Sequence, residues 1–224
     1  MFRAIYESTL IDPVLFWAAG AAFALAFARR LPFLYGYLVV FTIEILADAT
    51  LTSAWSPVPA RTGWSAAVAG VFVFLGDARY FLLVARARTG KLVPSAWLAA
   101  LGLSCVVPLA SYAAFALFPA AFANDHAKFL LYESMVLAFV VALRARVPRG
   151  ITGAAERRWL ALATDFEIAQ YALWGLADVA ILAGHDAGFA LRLVPNTMYY
   201  VLYLPFVAWA APRDLTEPWR EARA

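Results

Sequence analysis

Glu44 and Asp48 lie one helical turn apart in the stretch FTIEILADAT, which follows the lipid-compatible run LYGYLVV. At that spacing two carboxyls share one face of a helix. Asp77, Glu133 and Asp178 fall inside three further apolar stretches. A carboxyl group in apolar surroundings can keep its proton and serve as a general acid. A second one can act as base, or steady a developing cation together with aromatic faces. Glu44, Asp48 and Asp77 are therefore the candidate catalytic residues. Glu133, Tyr171, Trp174, Asp178, Asn196, Tyr199 and Tyr200 are candidates to line a substrate pocket. Such a set suits protonation of an alkene or epoxide, followed by cyclisation or isomerisation.

The elements that must position these groups are spanning helices. The chain has 224 residues, of which 64% are hydrophobic and 15% charged, with a mean hydropathy of +0.73. That is the composition of an integral membrane protein. A span needs about 20 mostly apolar residues. Seven stretches qualify, at roughly 13–30, 32–53, 66–86, 92–118, 127–145, 158–184 and 189–211, in one transmembrane domain covering 1–224. The breaks SPVPARTG, ARTGK, RVPRG and AGHDAG carry turn chemistry. The expected fold is an all-α bundle of seven transmembrane helices, multi-pass in a bacterial-type inner (plasma) membrane.

Loop cations set its orientation. With the N-terminus outside, Arg29, Arg30, Arg86, Arg88, Lys91, Arg144, Arg146, Arg149, Arg157, Arg158, Arg213, Arg220 and Arg223 fall inside. Only Arg3, Arg61, Lys128 and Arg192 fall outside, so the C-terminus is expected inside. The remaining cation, Arg79, lies within the third span, where Asp165 or Glu167 can pair with it. Seven acids within spans (Glu44, Asp48, Asp77, Glu133, Asp165, Glu167, Asp178) then face one base. Either several hold protons or something cationic visits.

Faces point the same way. Glu167, Tyr171, Trp174 and Asp178 form one stripe, and Asn196, Tyr199 or Tyr200, and Tyr203 form another. For a single acid, hydrogen bonding between helices explains as much as chemistry does. Trp55, Trp64, Trp97, Trp159, Trp209 and Trp219 lie near span ends, where an interfacial aromatic belt accounts for them. Pro108, Pro195 and Pro205 can kink their spans.

In length, span count and a glutamate in the second span, Glu44, the chain resembles the small seven-helix integral membrane terpene cyclases. That resemblance implies a lipid or isoprenoid substrate and a second acid in the last span, where this chain has Asn196. The seven-helix lycopene cyclases share the build, but their Pro-x-Glu-Glu signature is missing.

Other chemistries are excluded or left open by residue type. His126 and His185 fall in outer loops and, with Cys105 alone, supply too few ligands for zinc. No cofactor is expected, although carboxylates alone suit a magnesium or calcium ion. The last span has no lysine to carry a retinal Schiff base, and no phosphate-cradling loop or serine elbow occurs. Dispersed basic residues exclude nucleic acid as a partner. The expected partners are a hydrophobic small-molecule or lipid substrate and membrane lipids. A proton- or cation-coupled transporter and a non-catalytic receptor or scaffold are the alternatives to an enzyme.

Overall fold

In hydrocarbon, backbone N–H and C=O groups can be satisfied only within a segment, so apolar runs of this length become helices. The structure, a computed structural model, describes residues 1–59, 62–89, 93–147, 149, 151 and 153–212. Arg61, Lys91, Arg213, Trp219, Arg220 and Arg223 lie outside the described residues. The elements are α1 (Phe2–Tyr6), α2 (Ile11–Phe27), α3 (Pro32–Leu51), α4 (Gly63–Thr89) and α5 (Pro94–Leu117), then α6 (Asp125–Arg144), α7 (Ala154–Leu182) and α8 (Ala187–Thr197). A π-helical segment (Met198–Leu202) and α9 (Tyr203–Ala210) complete the chain. No strand occurs among the described residues.

Local sequence sets the ends of several helices. Pro32 and Pro94 open α3 and α5, where a missing N–H costs nothing. The Asn124 side chain accepts the His126 N–H and caps α6. At the end of α7, Gly184 takes a left-handed φ of 83°. This lets the His185 N–H reach the Ala180 carbonyl and the Gly184 N–H reach the Ile181 carbonyl, which closes the helix in a Schellman turn.

α3, α4, α5 and α6 are each long and apolar enough to cross a membrane. α2 has 17 residues, α7 carries Asp165, Glu167 and Asp178, and the last stretch is interrupted. Sequence neighbours pack side by side from α2 through α8, and α9 and the π segment return against α2 to close the ring. Leu98, Leu109, Leu117, Trp17, Ile43 and Leu176 remain exposed on the outside, while acids and arginines are buried within. That inversion of the soluble pattern suits lipid.

Two expectations are corrected here. The seventh stretch is not one helix, because the chain around Pro195 changes to π-helical winding before α9. Trp159 is not interfacial: it is 1% exposed and donates to the Val207 carbonyl at 2.9 Å.

At one end of the ring, Asp12 at the start of α2 accepts the Ala54 N–H after α3, and α1 packs against α8. The opposite end holds Arg29, Arg30, Arg86, Arg88, Arg144, Arg146, Arg149, Arg157 and Arg158. There Arg29 reaches the Ala211 carbonyl, and Arg88 reaches the carbonyls of Arg146 and Val147.

α8 turns back tightly onto α7. A Cβ on Gly188 would stand 2.8 Å from both the Ala177 carbonyl oxygen and the Ile181 nitrogen. Gly188→Ala should lower stability by about 1–3 kcal/mol, read as a reduced Tm in detergent. α1 is held by Asp186, whose carboxyl pKa is pushed down to about 2 by the Met1 amino group and the N–H groups of Arg3 and Phe2. The ionised form stabilises the docked state above the ordinary aspartate value near ~3.9, and this stabilisation disappears as pH falls through about 2. Hydrogen exchange at Phe2 and Arg3 should show lost protection across that window, and Asp186→Asn should remove it at neutral pH.

Candidate functional site

α3 presents Asp48 toward the interior near its C-terminal end. Its Oδ2 accepts the Tyr200 hydroxyl at 3.0 Å and its Oδ1 accepts that of Thr52 at 3.0 Å. Glu44, one turn away, is 7% exposed, and among the described residues neither of its carboxyl oxygens has a hydrogen-bond partner. The shared face is as expected, but the two acids have different surroundings. On α4, Asp77 receives the hydroxyls of Tyr132 at 2.6 Å and Tyr171 at 2.5 Å.

Arg192, on α8, changes the expected charge balance. Counted among the cations of the outer side, it is instead buried in the bundle and uses all three nitrogens. Nη1 donates to Asp178 Oδ1, Nη2 to Glu133 Oε1 at 3.2 Å, and Nε to the Tyr6 hydroxyl at 3.2 Å. Asp178 is 0% exposed, and its Oδ1 also meets His126 Nδ1 at 2.8 Å. His126 is thus a member of this buried network and not a surface loop residue.

Arg79 is likewise corrected. It is 1% exposed and donates from Nη1 to the Tyr199 carbonyl at 3.2 Å, in the π segment. Its guanidinium lies over the Tyr199 ring at 4.1 Å and the Tyr203 ring at 4.7 Å. Glu44 and Glu167 act on it electrostatically without an ion pair being formed with either. Asp165 instead pairs with Arg144 at 2.5 Å, half exposed near the opposite end.

Between these groups lies a cavity of about 250 Å³. Its wall includes the rings of Tyr6, Phe72, Phe129, Tyr132, Tyr171, Trp174, Tyr199 and Tyr200, together with Asp48, Glu133, Arg192, Thr52 and Asn196. A second space of about 200 Å³ shares Tyr6, Thr52, Asn196 and Tyr200 with it. Asn196 accepts the Trp174 indole N–H at 2.7 Å and donates to Tyr6 at 3.4 Å. Gly76 lets Tyr199 approach α4, since a Cβ there would fall 2.1 Å from the hydroxyl.

Comparison with protein families, with curated proteins and with solved structures finds no match to this chain. The geometry alone therefore carries the functional reading.

Of the expected catalytic acids, only Asp48 lines the cavity. Asp77 stands behind Tyr132 and Tyr171, and Glu44 lies deeper beside Arg79. Of the expected pocket residues, Glu133, Tyr171, Trp174, Asn196, Tyr199 and Tyr200 line it, whereas Asp178 lies behind Arg192. Among the described residues, no three His, Cys, Asp or Glu side chains gather as a metal would need. Arg192, His126, Tyr132 and Tyr6 were not anticipated. Arg192 has a sequence signal, because it sits one turn before Asn196 on the same helical stripe. Tyr6 has none, since only tertiary packing brings α1 over the site.

Arg192→Ala would leave Glu133 and Asp178 buried without their cation, at a cost of about 3–5 kcal/mol. Thermal unfolding in detergent should show a large drop for this variant. The drop should be smaller when Asp178→Asn is added to it.

Proposed function

We propose that the chain is a seven-span membrane protein with its N-terminus outside and C-terminus inside, in a bacterial-type plasma membrane. Its cavity takes a small hydrophobic substrate, a lipid or isoprenoid, for acid–base chemistry of the cyclisation or isomerisation class. The charge asymmetry supports the orientation, since the basic end of the ring carries nine described arginines. With Arg192 withdrawn into the interior, only Arg3 and Lys128 remain at the other end among the described residues.

The observation that carries the chemical reading is an aromatic-lined cavity with two carboxyl-bearing residues, Asp48 and Glu133, on its wall. They come from different helices, α3 and α6, and face the same space. Asp48, held by Tyr200 and Thr52, takes the role of general acid. Asn196 occupies the place of an acid in the last span, so Glu133 supplies the second carboxyl. The surrounding rings would steady positive charge developing on the substrate.

Coupled transport is favoured by one different observation: buried Asp48, Glu44, Arg79 and Glu167 together link α3, α4 and α7. Uptake driven by a pH gradient in proteoliposomes would support that reading instead.

The enzyme reading is tested by supplying the reconstituted full-length chain with linear isoprenoid alkenes and epoxides and following products by gas chromatography and mass spectrometry. Asp48→Asn should reduce turnover by about 100-fold or more, with folding retained. Glu44→Gln should keep most of the turnover, because Glu44 does not reach the cavity. Full activity in Asp48→Asn would overturn the assignment.

A further inference from the structure

Hydrogen-bond donors with protons to spare gather at one corner of the cavity. Elsewhere on the wall they are spent: Tyr132 and Tyr171 give their hydroxyl protons to Asp77, and Tyr200 and Thr52 give theirs to Asp48. The Tyr199 hydroxyl has no acceptor among the described residues, but it lies against Gly76 of α4. At the corner where α1 meets α8 the balance differs. A guanidinium carries five N–H donors, and Arg192 uses three of them, on Asp178, Glu133 and Tyr6. An amide nitrogen carries two, and Asn196 uses one, on Tyr6 at 3.4 Å. Neither nitrogen can accept, so the Tyr6 oxygen accepts from both, and its own proton has no acceptor among the described residues.

These three donors stand around one point of the wall. Arg192 and Asn196 are one turn apart on α8, and both bond the same Tyr6 oxygen. All three residues line the cavity. The Trp174 indole N–H, bonded to Asn196 Oδ1 at 2.7 Å, holds the amide in this orientation. Acceptors at the corner are already engaged: the Tyr6 oxygen takes two N–H groups, Asn196 Oδ1 takes the indole, and a guanidinium accepts nothing. A hydroxyl or ammonium head would bring further donors there, whereas a carbonyl oxygen accepts two hydrogen bonds and brings none. Charge disfavours a carboxylate, because Asp178 and Glu133 already share the guanidinium and Asp48 lines the same wall.

We propose that the cavity holds the uncharged carbonyl oxygen of an apolar substrate between Tyr6, Arg192 and Asn196. The hydrocarbon part of that substrate rests against Ala69, Phe72 and Val73 of α4. This rests on the reading that the cavity takes a hydrophobic substrate, and it names the class: a ketone, aldehyde or ester with a hydrocarbon body. A few convergent polar groups in an otherwise aromatic and apolar pocket fix orientation in this way. The carbonyl is an anchor, and Asp48, held by Tyr200 and Thr52, stands elsewhere on the wall.

The test uses the full chain in nanodiscs of zwitterionic lipid. Heptyl methyl ketone is compared with its analogue in which a methylene group replaces the oxygen, and with octanol, octylammonium and octanoate. Affinities are read by titration calorimetry and corrected for partition into empty nanodiscs. The ketone should bind saturably and about tenfold or more tighter than the methylene analogue and the other three. Its infrared C=O stretch, isolated by isotopic labelling of the carbonyl carbon, should move to lower frequency on binding. Asn196→Asp keeps an acceptor for Trp174 but replaces the amide donor and gives the Tyr6 proton an acceptor. This variant should weaken the ketone by about tenfold, leave the methylene analogue unchanged and remove the infrared shift. If Asn196→Asp does not fold, the ligand series and the infrared shift on the unaltered chain decide. A ketone that binds no tighter than its methylene analogue or octanol, an unshifted C=O stretch, or tighter binding of octylammonium or octanoate overturns the inference. Those results leave the acid–base reading standing, whereas that reading fails on undiminished turnover in Asp48→Asn however the ketone binds.

Discussion

Arg192 is a guanidinium buried inside the bundle, and one half of the site is arranged around that fact. An uncompensated charge of this kind is costly in a bundle surrounded by lipid. Compensation comes from three helices: Asp178 on α7, Glu133 on α6 and the Tyr6 hydroxyl on α1. Two of these partners are themselves tied further, Asp178 to His126 and Tyr6 to Asn196. The ion network thereby fixes how α1, α6, α7 and α8 stand relative to one another. Apolar packing against lipid-like surfaces specifies such registers poorly, because most apolar neighbours are equivalent.

Arg79 serves the same purpose deeper in the bundle by a different route. The π segment releases a backbone carbonyl at Tyr199 that regular winding would have used, and Arg79 occupies it. The rings of Tyr199 and Tyr203 lie against the guanidinium on the same side of the bundle. The break in the last helix and the buried arginine thus explain one another. Together they hold Tyr199 and Tyr200 in the cavity wall, with Tyr200 in reach of Asp48.

Between the two arginines, hydroxyl groups take over the work of charge compensation. Asp77 and Asp48 are met by tyrosines and a threonine rather than by cations. Directed to the acids, these hydroxyls no longer donate to the cavity, so the same bonds that make the carboxyls tolerable also remove these donors from its wall.

The helical character of the chain and the apolar runs long enough to cross a membrane were legible in sequence, because composition and run length act locally and need no partner. The inward faces of α3, α7 and the last stretch were legible too, from the i, i+4 and i+7 spacing of Glu44 and Asp48, of Tyr171, Trp174 and Asp178, and of Asn196 and Tyr199. What spacing does not encode is which group on one helix meets which on another. Tertiary packing alone put Asp48 on the cavity wall and Glu44 behind it, drew His126 out of a supposed loop and Arg192 from the outer side into the interior, and brought Tyr6 across the site. The physical reason is that burial of a charge is decided by partners far away in the chain, and a single helix carries no record of them.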